Sequence, residues 1–88
     1  MPEVRLTRRA KQDLTALPGT VRAAVLETLT LVALEPERIG KRLVGRLDGV
    51  WSARVGSYRV LYTVEHAGVV VRAIRHRAIA YRSRRPGR

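Results

Sequence analysis

Two arginines lie close together in the sequence, where their side chains can act on one ligand. The stretch 51–62, WSARVGSYRVLY, carries Arg54 and Arg59 on either side of a Gly56-Ser57 turn. If this stretch folds as a β-hairpin, the alternation of side chains places both arginines on the same open face of a sheet. Arginine stays protonated and cannot transfer a proton, but its planar fork suits phosphate oxygens. The spacing therefore predicts a sheet face that holds a phosphate chain.

The charge of the chain supports a polyanionic partner. Its 88 residues include 18 Lys and Arg against 7 Asp and Glu, for a net charge of +11. Residues 1–44 carry eight basic and five acidic side chains, whereas residues 45–88 carry ten basic ones, all arginine, and two acidic ones. Such a charge repels itself unless a polyanion neutralises it. Nucleic acid is the first expectation, followed by an acidic protein or an anionic membrane.

Other features of the composition exclude several classes of site. The chain has no cysteine, only two histidines and few carboxylates, so we expect no disulfide, no metal site and no cofactor. No apolar run reaches the roughly 18 residues that a membrane span needs, and the N-terminus lacks the apolar region of a signal peptide. We expect a bacterial cytoplasmic protein.

The first half of the chain has helical periodicity after a weak edge strand at residues 2–6. Thr7 is positioned to cap a helix, and a Pro18-Gly19 break separates it from a second helix that starts near Thr20 and stops at Glu35-Pro36. Apolar residues recur at helical spacing in both, namely Ala10, Leu14 and Leu17 in the first and Val21, Val25, Leu29 and Val32 in the second. The pattern predicts a helical hairpin.

The second half changes to a period of two. After a basic loop at residues 36–48 come two strands joined at Gly56-Ser57 and a last strand, VVVRAIRH, whose two faces are both partly apolar. A short C-terminal helical turn follows. The prediction is an α+β fold of order β-α-α-β-β-β, an antiparallel sheet with the helical hairpin on one face. Residues 1–82 are expected to form a single domain and residues 83–88 a basic flexible tail.

Two segments carry a resemblance to a known family. RLDGVWSARVGSYRVLYTV and VVVRAIRHRAIAY, together with the order of elements, resemble the RelE/ParE superfamily of bacterial toxins over nearly the whole chain. The resemblance implies one of two activities. RelE-branch toxins enter the ribosomal A site and cut mRNA, and an antitoxin usually encoded beside them holds them inactive. ParE-branch toxins poison DNA gyrase and lack the nuclease residues.

The resemblance also implies site residues. The predicted catalytic residues are Arg54, Arg59, Arg77 and Tyr81, and the predicted substrate-binding residues are Ser52, Arg46, Arg75 and His76. Ser52 is a departure, because the family's best-known members often have at this position a lysine that helps the general base. The identity of the base is therefore open.

RNA cleavage requires a base for the 2′-OH, positive charge on the developing phosphorane, and an acid for the leaving 5′-oxygen. Arg59 and Arg77 are expected to clamp the phosphate, and Arg54 to bind phosphate or favour the phenolate of Tyr81. Tyr81 is expected to act as the base; stacking on a nucleobase or packing are its alternatives. His76 is either the acid or a structural residue.

These expectations combine into one functional prediction. The chain is predicted to be a type II toxin that cleaves mRNA on the ribosome without a metal, with an acidic antitoxin as its partner. Two alternatives stay open: a gyrase-poisoning toxin without nuclease activity, and a nucleic-acid-binding module without toxicity.

Overall fold

A five-stranded sheet with helices on one face forms the framework of the protein. The structure, a computed structural model, describes residues 3–43 and 49–77. Its elements in chain order are β1 (Glu3–Leu6), α1 (Arg8–Ala16), α2 (Gly19–Leu34), α3 (Pro36–Ile39), β2 (Lys41–Arg42), β3 (Val50–Val55), β4 (Tyr58–Val64) and β5 (Gly68–His76). The strands lie in the order β1-β5-β4-β3-β2.

The predicted α+β fold is confirmed, with two corrections. Strands β3, β4 and β5 pair antiparallel as expected, but β1 pairs parallel with β5. The helices lead the chain from β1 to β2 at the opposite edge of the sheet, and three antiparallel steps then bring β5 beside β1 in the same direction. No tight turn joins β1 to β5, so nothing local forces that pair to be antiparallel. The second correction concerns the predicted loop at residues 36–48, which contains the helical turn α3 and the edge strand β2.

The helical hairpin forms from the residues that the periodicity indicated. Thr7 caps α1, since its side-chain oxygen accepts a hydrogen bond from the backbone N–H of Ala10 at 3.1 Å. The apolar stripes of both helices face the sheet, where Ala10, Leu17, Val25, Leu29 and Val32 are buried. Among the described residues, no helix has the length and apolarity to cross a membrane.

The core lies between the helices and one face of the sheet, which we call the covered face. The sheet contributes Ala53, Val60, Tyr62, Val69, Val71 and Ile74. The Tyr62 hydroxyl donates a hydrogen bond to the backbone oxygen of Pro36 at 2.5 Å, which fastens α3 to the sheet. A Cβ at Gly40 would collide with the Tyr62 ring and hydroxyl, so this close approach requires glycine.

A β-bulge at Arg72 explains why the faces of β5 could not be assigned from the sequence. Leu61 opposes Ala73 and Tyr62 opposes Val71, so Arg72 is an extra residue in β5. Helix α1 and its cap satisfy backbone groups around the bulge. The Thr7 hydroxyl donates a hydrogen bond to the backbone oxygen of Arg72 at 3.1 Å. Asp13 Oδ2 accepts a hydrogen bond from the backbone N–H of Ile74 at 3.0 Å.

Three predictions lie outside the described residues and stay predictions. They are the C-terminal helical turn, the flexible tail at residues 83–88, and the domain limit at residue 82.

Candidate anion-binding site

Three arginines form one row across the open face of the sheet, the face opposite the helices. In the strand register Arg54 of β3 lies directly opposite Arg59 of β4, and Arg59 lies directly opposite Arg75 of β5. Residues directly opposite each other in antiparallel strands project on the same side. With strands about 4.8 Å apart, this arginine row spans about 10 Å. The predicted pairing of Arg54 and Arg59 on one face is confirmed.

The arginine row is unfavourable without a ligand. Like charges directly opposite each other in a sheet are destabilising. Arg54 is exposed, but Arg59 and Arg75 are half-buried, so water screens their charges incompletely. In addition, the Arg75 Nε is buried and has no hydrogen-bond partner among the described residues. A buried donor without an acceptor costs about 1–3 kcal/mol. An anion bound at the row would relieve the repulsion, and a shift of the Arg75 side chain toward that anion would give its Nε an acceptor.

Ser52 lies beside the row on the same face. It is 7% exposed, and its hydroxyl accepts a long hydrogen bond of 3.5 Å from Arg59 Nη1. The small side chain leaves room next to the Arg59 guanidinium and helps to orient it. Across the β2–β3 pair, Lys41 lies directly opposite Ser52, so its ammonium adds a further positive charge to this face.

Lys41 was missed by the sequence analysis. It belongs to a basic stretch that looked like a loop, and a strand of only two residues has no detectable periodicity. Only its pairing with β3 shows which face it joins. Arg75 was predicted as a substrate-binding residue, but its place opposite Arg59 depends on the bulge at Arg72 and could not be derived from alternation alone.

The turn between β3 and β4 brings Arg77 to the same end of the sheet. Gly56 has φ 58°, and no non-glycine residue of the described chain has a positive φ, so the two-residue turn has the type II′ pattern with glycine first. The carbonyl of Ser57 in this turn accepts a hydrogen bond of 2.7 Å from the Arg77 N–H. The Arg77 backbone is thereby held beside the end of the arginine row.

His76 is not brought to the row. It lies opposite Tyr58, with the two rings edge to face and their centroids 4.9 Å apart. Tyr58 packs against the core, so this pair projects to the covered face. The structure thus places His76 away from the row, and its role in binding substrate or supplying the acid stays a prediction. Arg46 and Tyr81 lie outside the described residues, and their roles stay predictions.

At the end of the open face away from the β3–β4 turn, positive and negative side chains balance each other. Arg72 donates from Nε to the Thr63 hydroxyl at 3.2 Å and lies 3.4 Å from Glu65, and Arg5 lines the same groove together with Glu3. Acidic and basic side chains are equal in number there. Across residues 3–43 and 49–77, no three His, Asp or Glu side chains are grouped as metal ligands. On the described part of the open face, the arginine row and Lys41 therefore carry the positive charge that no carboxylate balances.

Comparisons with known proteins agree with this fold. A family model described as the ParE toxin of type II toxin-antitoxin system, parDE, matches residues 4–81. The chain belongs to this family of bacterial toxins, which confirms the resemblance to the RelE/ParE superfamily.

Particular relatives lie on the RelE side of the superfamily. The chain is 45% identical over 82 residues to Toxin RelG of Mycobacterium tuberculosis, covering 90% of this chain and 94% of RelG. It is 39% identical over 82 residues to Toxin RelE of the same organism, covering 90% and 84% of the two chains. The fold matches a chain in the crystal structure of the toxin-antitoxin complex RelBE2 from Mycobacterium tuberculosis, with a TM-score of 0.81 and 42% identity over 88% of this chain and 100% of that one.

Proposed function

We propose that this protein is a RelE-branch toxin that cleaves mRNA in the ribosomal A site. The observation that carries the proposal is the arginine row, since three cations aligned on an otherwise open sheet face suit the phosphates of a nucleic acid. The identities to RelG and RelE favour the RelE branch. The family model is described by its ParE member, so gyrase poisoning is the second candidate.

The proposed reaction is an internal attack within RNA. The 2′-oxygen bonds to the adjacent phosphorus while the bond from phosphorus to the 5′-oxygen breaks, leaving a 2′,3′-cyclic phosphate and a 5′-hydroxyl. One proton leaves the 2′-OH and one is delivered to the 5′-oxygen. Arg59 and Arg54 stabilise the charge that develops on the phosphorane oxygens, and Arg77 contacts the same phosphate.

Proton transfer needs a group other than arginine, because a guanidinium does not give up its proton at neutral pH. Tyr81 is proposed as the base. On the described open face, Lys41 is the one amine, and it lies opposite Ser52 next to Arg59. A Tyr81→Phe variant tests the phenol directly: a variant with full activity would remove Tyr81 from this role and direct attention to Lys41.

The test of the proposed function is inducible expression in bacteria followed by mapping of mRNA 5′ ends. We expect growth arrest with new 5′-hydroxyl ends that fall in phase with codons. The Arg59→Ala variant should abolish the cuts, whereas Arg9→Ala on the distant face of α1 should not. Arrested DNA replication with intact mRNA would instead support the gyrase-poisoning alternative. Normal growth with folded protein present would contradict both.

We further propose that the toxin acts in the bacterial cytoplasm and that an acidic antitoxin holds it inactive. The RelBE2 structure from Mycobacterium tuberculosis is a toxin–antitoxin complex, and so is that of archaeal RelE–RelB from Pyrococcus horikoshii, whose toxin chain is 26% identical to this one. The charge of +11 favours an acidic partner, and charge attraction should make association fast and sensitive to salt.

Apolar contacts are available for the same partner. Helix α2 is apolar on its outer side as well as its inner side, with Leu26, Leu31 and Leu34 48%, 51% and 65% exposed. Exposed ion pairs contribute only about 0–1 kcal/mol each, so apolar contacts must supply much of the affinity. We expect the complex between this protein and the small acidic antitoxin encoded beside it to survive about 1 M salt, where the Debye length is about 3 Å. Complete dissociation there would mean that binding is electrostatic alone.

A further inference from the structure

We propose that Arg75 contacts an RNA phosphate beside the one held by Arg59, so that the arginine row holds more than a single phosphate group. This inference rests on the proposed function, because it extends the RNA-binding face across a third strand. It assigns to Arg75 a binding role that neither Arg54 nor Arg59 can fill from their own strands.

The first support is the register. Arg75 lies directly opposite Arg59 on the side away from Arg54, so the three side chains mark a line perpendicular to the strands. The line is about 10 Å long. If one phosphate contacts the central guanidinium, that of Arg59, the guanidinium groups of Arg54 and Arg75 can contact neighbouring phosphates of an RNA backbone that crosses the strands. A nucleic-acid backbone supplies negative charge at regular intervals along such a line.

The second support is the unpaired Nε of Arg75. Elsewhere the chain provides acceptors for an arginine that it half-buries. Arg22 donates from Nη2 to the backbone oxygen of Leu17 at 2.9 Å and from Nε to that of Leu14 at 3.4 Å. Arg75 is half-buried like Arg22, yet no described residue provides an acceptor for its Nε. Buried donors are nearly always satisfied in folded proteins. The Arg75 side chain is therefore not held in place by an acceptor of its own, and a shift toward the open face would let its guanidinium donate to a phosphate there.

The third support is the contrast with Arg72 in the same strand. Arg72 is matched by Glu65 and Thr63 and needs no external anion. No described carboxylate is paired with any member of the arginine row. The described part of the chain thus neutralises the arginine at one end of the open face and leaves those at the other end for a ligand. Phosphate oxygens satisfy both the charge and the hydrogen-bond geometry of a guanidinium.

The experiment measures binding to a short single-stranded RNA with 2′-O-methyl riboses, which the protein cannot cleave. Dissociation constants are measured over a range of salt concentrations, because each phosphate contact to a single strand contributes about 0.7 to the slope of log K against log salt. We expect Arg75→Gln to lower this slope by about 0.7. The control Arg9→Gln removes the same charge from an exposed site on α1 and should leave the slope unchanged.

Arg75→Lys keeps the charge and should keep most of the slope, and thermal unfolding shows whether each variant is folded. A structural role alone would lower stability without changing the slope. The proposal is overturned if Arg75→Gln matches the wild type while Arg59→Gln loses slope, or if wild-type binding is independent of salt. A slope lost at Arg75 in a protein that never cuts ribosomal mRNA would refute the proposed function and leave the phosphate contact standing.

Discussion

The two faces of the sheet are built from the same strands but do opposite things to the stability of the protein. On the covered face, Val60 and Tyr62 are fully buried against the helices. On the open face, Arg59 directly precedes Val60 in the sequence and is flanked across the sheet by Arg54 and Arg75. Burial of the first set stabilises the fold, whereas the second set repels itself. Side chains that cost stability are expected where a ligand offsets that cost.

The largest expected effect is on the covered side. Leu29 of α2 is 4% exposed and packs in the core, so Leu29→Ala should lower the free energy of unfolding by about 2–5 kcal/mol. Leu26→Ala is a matched control, since it makes the same change in the same helix at a side chain that is 48% exposed, and it should alter stability by no more than about 0.5 kcal/mol. Urea unfolding measures both. If both variants lost the same free energy of unfolding, the assignment of Leu29 to the core and of Leu26 to the exposed side of α2 would be wrong.

On the open face, Arg59→Ala should lower the rate of cleavage without lowering the stability of the fold. Loss of one preorganised donor to a developing charge typically lowers a rate by about 10²–10³-fold. We expect this loss in ribosome-dependent cleavage, with the free energy of unfolding unchanged or slightly raised because a like-charge pair is removed. Single-turnover cleavage assays and urea unfolding of the same preparation separate the two quantities. A variant that is destabilised but fully active would contradict the assignment of the face.

Tyr62→Phe tests a polar contact of the covered face. Removal of the hydroxyl leaves the Pro36 oxygen with only the longer hydrogen bond from the Gly40 N–H at 3.4 Å, and we expect a loss of about 0.5–1.5 kcal/mol in the free energy of unfolding. Tyr58→Phe is the control, because Tyr58 is only partly buried. If the two variants lose the same stability, the Tyr62 hydroxyl does not fasten α3 to the sheet.

The pH dependence of stability sharpens the same test. Burial raises the pKa of Tyr62 above its ordinary value of about 10. The unfolded chain therefore releases this proton at lower pH than the folded chain. The contribution of the protonated Tyr62 hydroxyl to the free energy of unfolding is fully present below about pH 10. It is lost as the pH rises through the pKa that Tyr62 has in the folded protein. Unfolding curves between pH 9 and 11 should show a decline in the wild type that is smaller in Tyr62→Phe.

The smallest expected effect is at the exposed end of the row. Arg54→Gln removes one like-charge neighbour of Arg59 and should raise the free energy of unfolding by about 0.2–1 kcal/mol at low salt. Because salt screens exposed charges, the gain should shrink as salt is added. Thermal unfolding at two salt concentrations measures it. A loss of stability would show that Arg54 makes a favourable contact in the free protein.

Sequence reasoning recovered what regular alternation and helical spacing determine. The capped first helix, the stripe through Val25, Leu29 and Val32, and the shared face of Arg54 and Arg59 all follow from local periodicity. The parallel pairing of β1 and the edge strand β2 did not, because they depend on how distant segments meet. Lys41 and the true neighbours of Arg75 were hidden for the same reason. Tyr81 and Arg46 stay predictions, since the structure does not describe them.

The extra residue in β5 also affects how homologous positions are assigned between this toxin and others of its family. A relative whose last strand is one residue shorter can present the same two faces if the gap is aligned with Arg72. If the gap is placed after the strand instead, the relative's counterpart of Arg75 is matched to Ile74, which belongs to the core on the other face. An arginine of the open face would then be scored as equivalent to an apolar residue that is buried in the core. Transfer of residue roles along this strand therefore depends on the placement of a single gap.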